Sequence, residues 1–221
     1  MKRKNLVLIP FLLMSFCVFS QHHHHHKDST KTANEYMHKS SIEELIQRFE
    51  APERDAYQKP EKVLNYLGNI KGKKIMDIGA GTGYFSVRLA QKGAKVIAAD
   101  VNEDFQAYLK KRIEQSNIQN IELRKIPYNS PNLADKEVDM VFMVNTYHHI
   151  ENRVDYFSKV RKGSKELLVI DFFKVADAPV GPPVDHKMSV DEVVSELKKA
   201  GYTDFEVNVS TLPYQYIIKA K

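Results

Sequence analysis

The chain has 221 residues, the size of one α/β domain with short appendages. Hydrophobic residues make up 43% of it, enough to bury a core, so a chain that is disordered throughout is excluded. Its 33 basic and 28 acidic residues give a net charge of +5, and its single cysteine, Cys17, excludes an intrachain disulfide and argues against a cysteine-based metal site.

The first 20 residues have the pattern of a bacterial signal peptide. Three basic residues, Lys2 to Lys4, precede the apolar run Leu6–Phe19, and small residues end this run before Gln21. The run is shorter than the roughly 20 apolar residues that a membrane span needs. We therefore expect residues 1–20 to be a signal peptide and the mature protein to be periplasmic or secreted, with no stable membrane span after cleavage. A lipoprotein modified at Cys17 and an uncleaved membrane anchor are the alternatives.

Residues 21–40 are polar and are expected to be a disordered linker. The linker contains five consecutive histidines, His22–His26, which are interpreted as a native tract that binds metal loosely or as a purification tag. No catalytic metal site is predicted from either interpretation. Removal of the three basic residues of the signal peptide leaves a charge of +5 − 3 = +2. This small excess, without a basic block or an aromatic platform, argues against a nucleic-acid partner.

Residues 41–221 are predicted to form one domain that begins with cover helices. Ser41 and Glu44 have the spacing of a capping box, and apolar residues after them lie on one helical face. A dense polar segment, residues 51–59, follows and is interpreted as a loop near the site. Pro60 then suits the first position of the next helix.

The segment Lys74–Ser86 carries the most informative pattern in the sequence. Its apolar run predicts a buried strand, and three glycines, Gly79, Gly81 and Gly83, follow at once. Glycine permits a positive φ and lets a ligand approach the backbone closely. Thr82 is placed to cap the helix that follows. A strand, a glycine turn and a helix N-terminus in this order are typical of a site for a polar or anionic group.

The next strand, Lys95–Ala99, ends in Asp100, whose carboxylate can accept hydrogen bonds from both hydroxyls of a ribose. A dinucleotide-binding fingerprint requires G-x-G-x-x-G, but Tyr84 occupies the third glycine position. Asp77, the glycine turn and Asp100 together instead resemble motif I of the class I S-adenosylmethionine (SAM) dependent methyltransferases. The alternatives are an NAD-type oxidoreductase, which the glycine spacing disfavours, and a Rossmann-like fold without a cofactor.

The resemblance to these methyltransferases runs from about Glu53 to the C-terminus. It implies an α/β fold with a Rossmann-like sheet of seven mostly parallel strands, an antiparallel last strand and helices on both faces. It also implies SAM as the cofactor, bound at the carboxyl ends of the central strands. The cofactor-binding residues that it implies are Tyr57, Gln58, Asp77, Gly79, Ala80, Gly81, Gly83, Asp100, Val101, Asn129, Ser130 and Asn145.

The resemblance also implies roles for these residues. The glycines pass close to SAM and Asp100 holds its ribose, while Asp77 steadies the turn or contacts the methionine amino group through water. The polar segment before the motif resembles a lid from which a basic or amide group, such as Arg54 or Gln58, reaches the methionine carboxylate.

The loop after the third strand, residues 126–137, is where the family places a side chain against the adenine amino group. That side chain is often an aspartate in the family, whereas Asn129 and Ser130 stand near the corresponding place in this chain. The adenine contact is therefore a departure from the usual pattern.

The fourth strand, Val138–Val144, ends in a polar segment that contains His148 and His149. This segment resembles motif IV, in which polar groups lie beside the methyl group being transferred. Two adjacent histidines are expected to point to different faces, so at most one should face the site. An imidazole titrates near neutral pH, which makes either histidine the first choice for the catalytic base.

Asp171, at the end of the fifth strand, and His186 are the second choices for the base. His186 lies in a long loop, Lys174–Lys187, which we interpret as a lid on the substrate side. Ser189 is expected to cap the last helix, and two strands in a hairpin complete the chain. Three functions remain open: a methyltransferase acting on a small-molecule or cell-envelope acceptor, a ligand- or metal-binding module without catalysis, and an oxidoreductase.

Overall fold

A computed structural model describes residues 33–37 and 39–221. The predicted signal peptide, Cys17 and the histidine tract lie outside the described residues. A short helix, α1 (Ala33–Met37), lies in the segment for which the sequence predicts a disordered linker. That prediction is therefore wrong for these five residues.

Helices and strands alternate along most of the chain, as in a doubly wound α/β domain. After α1 the elements are α2 (Ile42–Phe49), α3 (Glu53–Gln58), α4 (Pro60–Leu67), β1 (Lys74–Ile78), α5 (Tyr84–Gln91), β2 (Lys95–Asp100), α6 (Glu103–Gln115), β3 (Ile121–Lys125), β4 (Val138–Val144), α7 (Arg153–Gly163), β5 (Ser164–Phe172), α8 (Val190–Lys199), β6 (Phe205–Asn208) and β7 (Gln215–Ala220). Single 3₁₀ turns span Tyr147–His149 and Val184–His186.

The strands form one seven-stranded sheet in the order β3-β2-β1-β4-β5-β7-β6. Strands β1 to β5 pair in parallel, and β7 runs antiparallel to both of its neighbours. The predicted fold is confirmed. The chain leaves β1 toward β2 on one side and places β4 on the other side, so the carboxyl end of β1 is a topological switch point where ligands bind in such sheets.

The central strands are buried on both faces, which explains their continuous apolar sequence. In β4, Val141 and Met143 pack on one side of the sheet, whereas Met140 and Phe142 pack on the other. All four side chains are at most 1% exposed. The two apolar layers hold the sheet rigid and fix the positions of the polar residues that follow each strand.

Two helix starts are predicted correctly from their capping boxes. The Ser41 hydroxyl accepts a hydrogen bond from the backbone N–H of Glu44, whose carboxylate accepts one from the Ser41 N–H. Ser189 and Glu192 make the same pair at the start of α8. Each box satisfies backbone donors that a helix N-terminus leaves unpaired.

The prediction for Thr82 is wrong, because Gly83 is the N-cap of α5, with φ of +81° and no side-chain cap. The Thr82 hydroxyl is instead buried without a hydrogen-bond partner among the described residues. The polar segment before Pro60 also differs from its prediction as a loop, since most of it forms α3. In the part of the chain that the structure describes, no helix combines the length and hydrophobicity of a membrane span.

Candidate active site

A cavity of about 520 Å³ opens at the carboxyl ends of β1, β2, β4 and β5, and α1, α2 and α3 line its other side. Its size lies within the range of about 300–1,000 Å³ that small-molecule sites occupy. The predicted site residues that line it are Tyr57, Gly79, Ala80, Gly81, Asp100, Val101, Asn145, His148, His149 and His186. The structure places the others outside the lining: Gln58, Asp77, Gly83, Asn129, Ser130 and Asp171.

The glycine turn is tied to the neighbouring strand by its own backbone. The N–H groups of Gly79 and Ala80 both donate to the carbonyl oxygen of Ala99, at 2.9 and 3.1 Å. Gly79 has φ of +75°, and a Cβ built there would collide with the side chain of Thr146. Only glycine therefore allows β1 to turn this close to the end of β4.

Asp100 is 5% exposed and is held in the cavity wall by backbone donors. The Gly81 N–H donates to Oδ2 at 2.8 Å, and the Asn102 N–H donates to Oδ1 at 2.9 Å. Burial raises the pKa of this carboxyl, while the backbone hydrogen bonds act in the opposite direction. Each oxygen retains acceptor capacity, so the carboxylate can accept two further hydrogen bonds from a diol.

Asp77 lies behind the turn. Its Oδ2 accepts a hydrogen bond of 2.6 Å from the hydroxyl of Ser86 in the first turn of α5. Burial raises the pKa of Asp77 to about 6, and the nearby charge of Asp100 acts in the same direction. This position agrees with the proposed role of steadying the turn, because the bond joins the end of β1 to the helix that follows the glycines.

Helix α3 places Arg54 in the cavity wall. Its guanidinium lies 3.9 Å from the ring centroid of Tyr84 and donates to the Phe49 carbonyl oxygen at 2.9 Å. The Arg54 Nε is buried and has no hydrogen-bond partner among the described residues. Arg88 lies at the same distance from the Tyr84 ring. Tyr84, which breaks the dinucleotide fingerprint, thus supports two cations through cation–π contacts.

Gln58 is buried, lies outside the cavity lining and belongs to a closed ring of three amides. It donates to Gln215 Oε1 at 3.0 Å, Gln215 donates to Asn145 Oδ1 at 2.5 Å, and Asn145 donates to Gln58 Oε1 at 3.3 Å. The ring joins α3, β7 and Asn145 at the end of β4, where the backbone has φ of +56°. The partner Gln215 has no local sequence signal, because β7 lies far away in the chain.

The loop after β3 contributes Tyr128 to the cavity lining, whereas the resemblance implies Asn129 and Ser130. Asn129 and Ser130 both lie outside the lining; the Asn129 backbone carbonyl oxygen accepts from Lys159, and the Ser130 hydroxyl accepts from the Asn132 N–H. Tyr128 lines the cavity and is 53% exposed. An aromatic ring is the feature of this loop that could have indicated a nucleobase contact.

Two further aromatic residues, Phe49 of α2 and Phe105 of α6, line the same cavity. Their ring centroids are 5.6 Å apart in a stacked arrangement. They bring an apolar surface to the end of β2, on the same side as Asp100. This end of the cavity therefore combines aromatic surface with a carboxylate that can accept hydrogen bonds from a diol, which suits a nucleoside.

Both His148 and His149 line the cavity, which corrects the expectation that at most one of them would. The expectation assumed an extended backbone, in which neighbouring side chains alternate. The two residues instead lie in the 3₁₀ turn Tyr147–His149, with ring centroids 4.3 Å apart. Thr146 precedes this turn, and its hydroxyl donates to the carbonyl oxygen of Val144.

His148 is paired with Asp171, and the pair is nearly inaccessible, with side-chain exposures of 4% and 2%. Nδ1 of His148 lies 2.9 Å from each carboxylate oxygen, and the His148 N–H donates to Asp171 Oδ2 at 3.2 Å. The Phe172 N–H donates to Oδ1 at 2.8 Å. Asp171 lies behind the ring and orients it, so that Nε2 is the nitrogen available to a ligand.

His149 has a different environment from its neighbour. Its Nδ1 is buried without a hydrogen-bond partner among the described residues, and burial, followed by the nearby His148, lowers its pKa to about 3. The carbonyl oxygen of His149 accepts a hydrogen bond of 3.0 Å from the Asn34 side chain, which anchors α1 over the cavity. His186 lines the cavity from the long loop after β5, as do Gly181 and Pro182.

The residues of the cavity fit SAM. The glycine turn leaves room at a place where a Cβ would collide, Asp100 retains acceptor capacity for a ribose, and Arg54 carries a buried unpartnered donor suited to a carboxylate. Within the described part of the chain, no group of three or more histidine, cysteine or acidic residues has the arrangement of a metal site.

Comparison with known proteins finds methyltransferases. A family profile described as "Methyltransferase domain" matches residues 75–166. The chain resembles the crystal structure of a SAM-dependent methyltransferase from Aquifex aeolicus. The two sequences are 28% identical, and the TM-score is 0.75 over 82% of this chain and 98% of that one. A phosphoethanolamine N-methyltransferase 2 from Haemonchus contortus, solved with SAM, has a TM-score of 0.60 at 19% identity, over 69% of this chain and 38% of that one, which shows the fold alone.

Among curated proteins, a ubiquinone biosynthesis O-methyltransferase from Acinetobacter baumannii (strain AYE) is 33% identical over 94 residues. The alignment covers 42% of this chain and 39% of that protein, so it spans well under half of either.

The fold and the cavity define a Rossmann-like α/β domain with a small-molecule site at its switch point. Together with the matches, they show the fold of the class I SAM-dependent methyltransferases, with SAM as the cofactor.

Proposed function

We propose that this protein transfers the methyl group of SAM to an O–H or N–H group of a small-molecule or cell-envelope acceptor, with His148 as the base. The observation that carries the proposal is the His148–Asp171 pair in the wall of the cavity that also contains the glycine turn and Asp100. The alternative, a binding module without catalysis, gives no reason for orienting an imidazole in this way.

Each end of the cavity has a distinct task in this proposal. Asp100 binds the ribose, Tyr128 and Phe105 contact the adenine, and Arg54 binds the methionine carboxylate. Bound SAM supplies an electrophilic methyl group on a sulfonium. The protein therefore has to align the acceptor with that group, remove its proton and exclude water.

His148 can remove the proton because of its tautomer. Its Nδ1 donates to Asp171, which leaves the lone pair of Nε2 as an acceptor on the other edge of the ring. After proton transfer, the Asp171 carboxylate stabilises the imidazolium, because the two groups are in contact and shielded from water. His149 is a poor base in comparison, since its pKa of about 3 leaves it little affinity for a proton.

We further propose that the protein acts in the periplasm or outside the cell, after cleavage before Gln21. The basic and apolar pattern of residues 1–20 supports this location. Cell fractionation, with a mass spectrum of the mature N-terminus, tests it. Protein found in the cytoplasm with residues 1–20 attached would contradict it.

The names of the relatives do not identify the acceptor of this protein. One acts in ubiquinone biosynthesis as an O-methyltransferase and another is named for phosphoethanolamine, so their names cover both O- and N-acceptors. The 28% identical Aquifex protein is named only by its cofactor. The residues of this chain are therefore the better guide to the acceptor.

Isothermal titration with SAM, S-adenosylhomocysteine (SAH) and NAD tests the proposed function. Both adenosyl compounds should bind with micromolar affinity, and NAD should bind at least about 100-fold more weakly. His148→Gln should bind SAH as the unchanged protein does, because the imidazole acts on the acceptor and is not needed to hold the cofactor. Preferential binding of NAD, or binding of none of the three, would refute the assignment.

A further inference from the structure

Arg54 brings a positive charge into the cavity wall, and the acidic residues near it are paired with other cations. Asp55 forms an ion pair of 3.4 Å with Arg88. Glu50 forms one of 2.7 Å with Arg112. Burial lowers the pKa of Arg54, because its surroundings solvate the charge less well than water does. The charge of Arg54 is therefore available to an anionic ligand group in the cavity.

The donors of Arg54 are divided between the protein and the cavity. Among the described residues, its guanidinium donates one hydrogen bond, from Nη1 to the Phe49 carbonyl oxygen at 2.9 Å. Nε is buried and has no partner among the same residues. The Nε–H and the neighbouring Nη2 form the edge of a guanidinium that suits the two oxygens of a carboxylate. This edge is the one that the protein leaves to a ligand.

The position of the Arg54 guanidinium depends on the short helix that carries it. Helix α3 has six residues, and its N-cap, Pro52, makes no side-chain cap. A helix of this length is not stable by itself, so its contacts with the rest of the domain determine where it lies. The amide ring holds its C-terminal end through Gln58. Its N-terminal half requires a second attachment.

Tyr84 provides this attachment at two points. The guanidinium carbon of Arg54 lies 3.9 Å from the centroid of the Tyr84 ring. The Tyr84 hydroxyl donates a hydrogen bond to the carboxylate of Asp55, the next residue of α3. Tyr84 is 4% exposed, so both contacts are shielded from water. One side chain thus holds two consecutive residues of α3.

The backbone of Tyr84 belongs to the cofactor site as well. Tyr84 is the first residue of α5 and directly follows Gly83, the last glycine of the turn. In a dinucleotide fingerprint this position is a glycine, which has no side chain to offer. Here the side chain joins the glycine turn to α3 and fixes the place of Arg54 relative to the turn.

Building on the proposed function, we propose that Tyr84 is a positioning residue for the cofactor, and that its ring holds the Arg54 guanidinium where it binds the methionine carboxylate of SAM. Tyr84 is not part of the cavity lining, so it acts through Arg54. The nucleoside part of SAM is bound by Asp100 and aromatic rings and does not depend on Tyr84. Loss of the Tyr84 ring should therefore weaken binding of the amino acid part of the cofactor alone.

Two ligands separate the two parts of the cofactor. SAH carries the carboxylate, whereas 5′-methylthioadenosine has the same nucleoside and a thioether sulfur but no amino acid part. In isothermal titration of the full chain, SAH should bind about 10-fold or more tightly than methylthioadenosine, since hydrogen bonds between charged groups are among the stronger ones. No acceptor and no turnover are needed for this measurement.

Tyr84→Leu removes both the ring and the hydroxyl. Its Kd for SAH should be raised about 10-fold, whereas its Kd for methylthioadenosine should change by less than about 2-fold. Retained binding of methylthioadenosine also shows that the variant is folded. Equal losses for the two ligands would indicate a general structural role and would overturn the proposal, as would an unchanged affinity for SAH.

Two single variants test the contribution of the ring. Tyr84→Phe keeps the ring and loses only the bond to Asp55, so its preference for SAH over methylthioadenosine should exceed that of Tyr84→Leu. Arg88→Gln is the matched control, because Arg88 also lies 3.9 Å from the ring centroid but does not line the cavity. It should leave both affinities unchanged. A preference in Tyr84→Phe as low as in Tyr84→Leu would overturn the role of the ring.

A double variant tests whether Tyr84 acts through Arg54. Arg54→Gln alone should remove the preference for SAH, and the addition of Tyr84→Leu should not lower it further, because residues that act on one contact are not additive. Losses that add in the double variant would contradict this route.

The titrations of the unchanged protein distinguish failure of this inference from failure of the proposed function. If both ligands bind and SAH binds no more tightly than methylthioadenosine, the inference is wrong and methyl transfer stands as the proposed function. If neither ligand binds, the proposed function is wrong and the role of Tyr84 falls with it.

Discussion

Replacing Asp77 by asparagine should stabilise the protein at neutral pH. Asp77 is 4% exposed, and burial raises its pKa to about 6 from 3.8. At 1.36 kcal/mol for each pH unit, this difference corresponds to about 3 kcal/mol. Asparagine has nearly the same shape, and its Oδ1 can still accept the hydrogen bond from Ser86, so the variant should avoid the cost of a buried charge.

The raised pKa of Asp77 determines how the stability difference between the two proteins depends on pH. The folded state holds the Asp77 proton more tightly than the unfolded chain does, so the stability of the unchanged protein falls as pH rises from about 3.8 to about 6. The asparagine side chain of the variant does not titrate. The advantage of Asp77→Asn should therefore be absent below about pH 4, grow through this window and remain constant above about pH 6.

Urea unfolding at pH 4, 5, 6, 7 and 8, followed by circular dichroism, measures the difference. Asp139→Asn is the matched control, because it lies at the opposite end of the sheet and the pKa of Asp139 is lowered, chiefly by its hydrogen bond from Lys165. The control should lose stability at neutral pH. A loss of stability in Asp77→Asn at pH 7 would refute the argument that the buried charge is costly.

Three further predictions concern the site. His148→Gln should lower kcat by about 10²- to 10⁴-fold in a methyl-transfer assay and leave the Kd for SAH unchanged; loss of SAH binding would contradict its role as a base. Arg54→Gln should weaken SAM binding about 10-fold or more by titration, whereas Arg88→Gln, outside the cavity lining, should not. Gly79→Ala should cost about 2–4 kcal/mol in urea unfolding, from backbone strain and the collision with Thr146, against about 1 kcal/mol for Gly72→Ala, which has a similar φ and open space.

The fold could be predicted because its signals are local. The buried strands have continuous apolar runs, and the helices begin at capping boxes or at Pro60, all of which can be read within a few residues. The carboxylate of Asp100 was also predictable, since it ends the strand next to the glycine turn. Residues 33–37 and the helix α3 were missed, because their short helical segments depend on packing over the cavity rather than on their own propensity.

The site could be predicted only where the backbone alone fixes a side chain. The resemblance suggests that Gln58 reaches the cofactor, yet it bonds to Gln215, a residue 157 positions away that no local pattern associates with it. The expectation of opposite faces for His148 and His149 failed because the strand ends at Val144 and a 3₁₀ turn follows. The sequence predicts Asp171 only as a separate candidate for the base, because the register of β4 and β5 is not visible in the sequence.

The central claim is that the glycine turn after β1 and the carboxylate of Asp100 together bind an adenosyl nucleotide. Titration of SAH into the unchanged protein, Asp100→Asn and the control Asp135→Asn tests it most directly, because both variants lose one negative charge and Asp135 is exposed outside the cavity. We predict that Asp100→Asn raises the Kd for SAH at least about 10-fold and that Asp135→Asn leaves it unchanged. Equal affinity of Asp100→Asn and the unchanged protein would contradict the account.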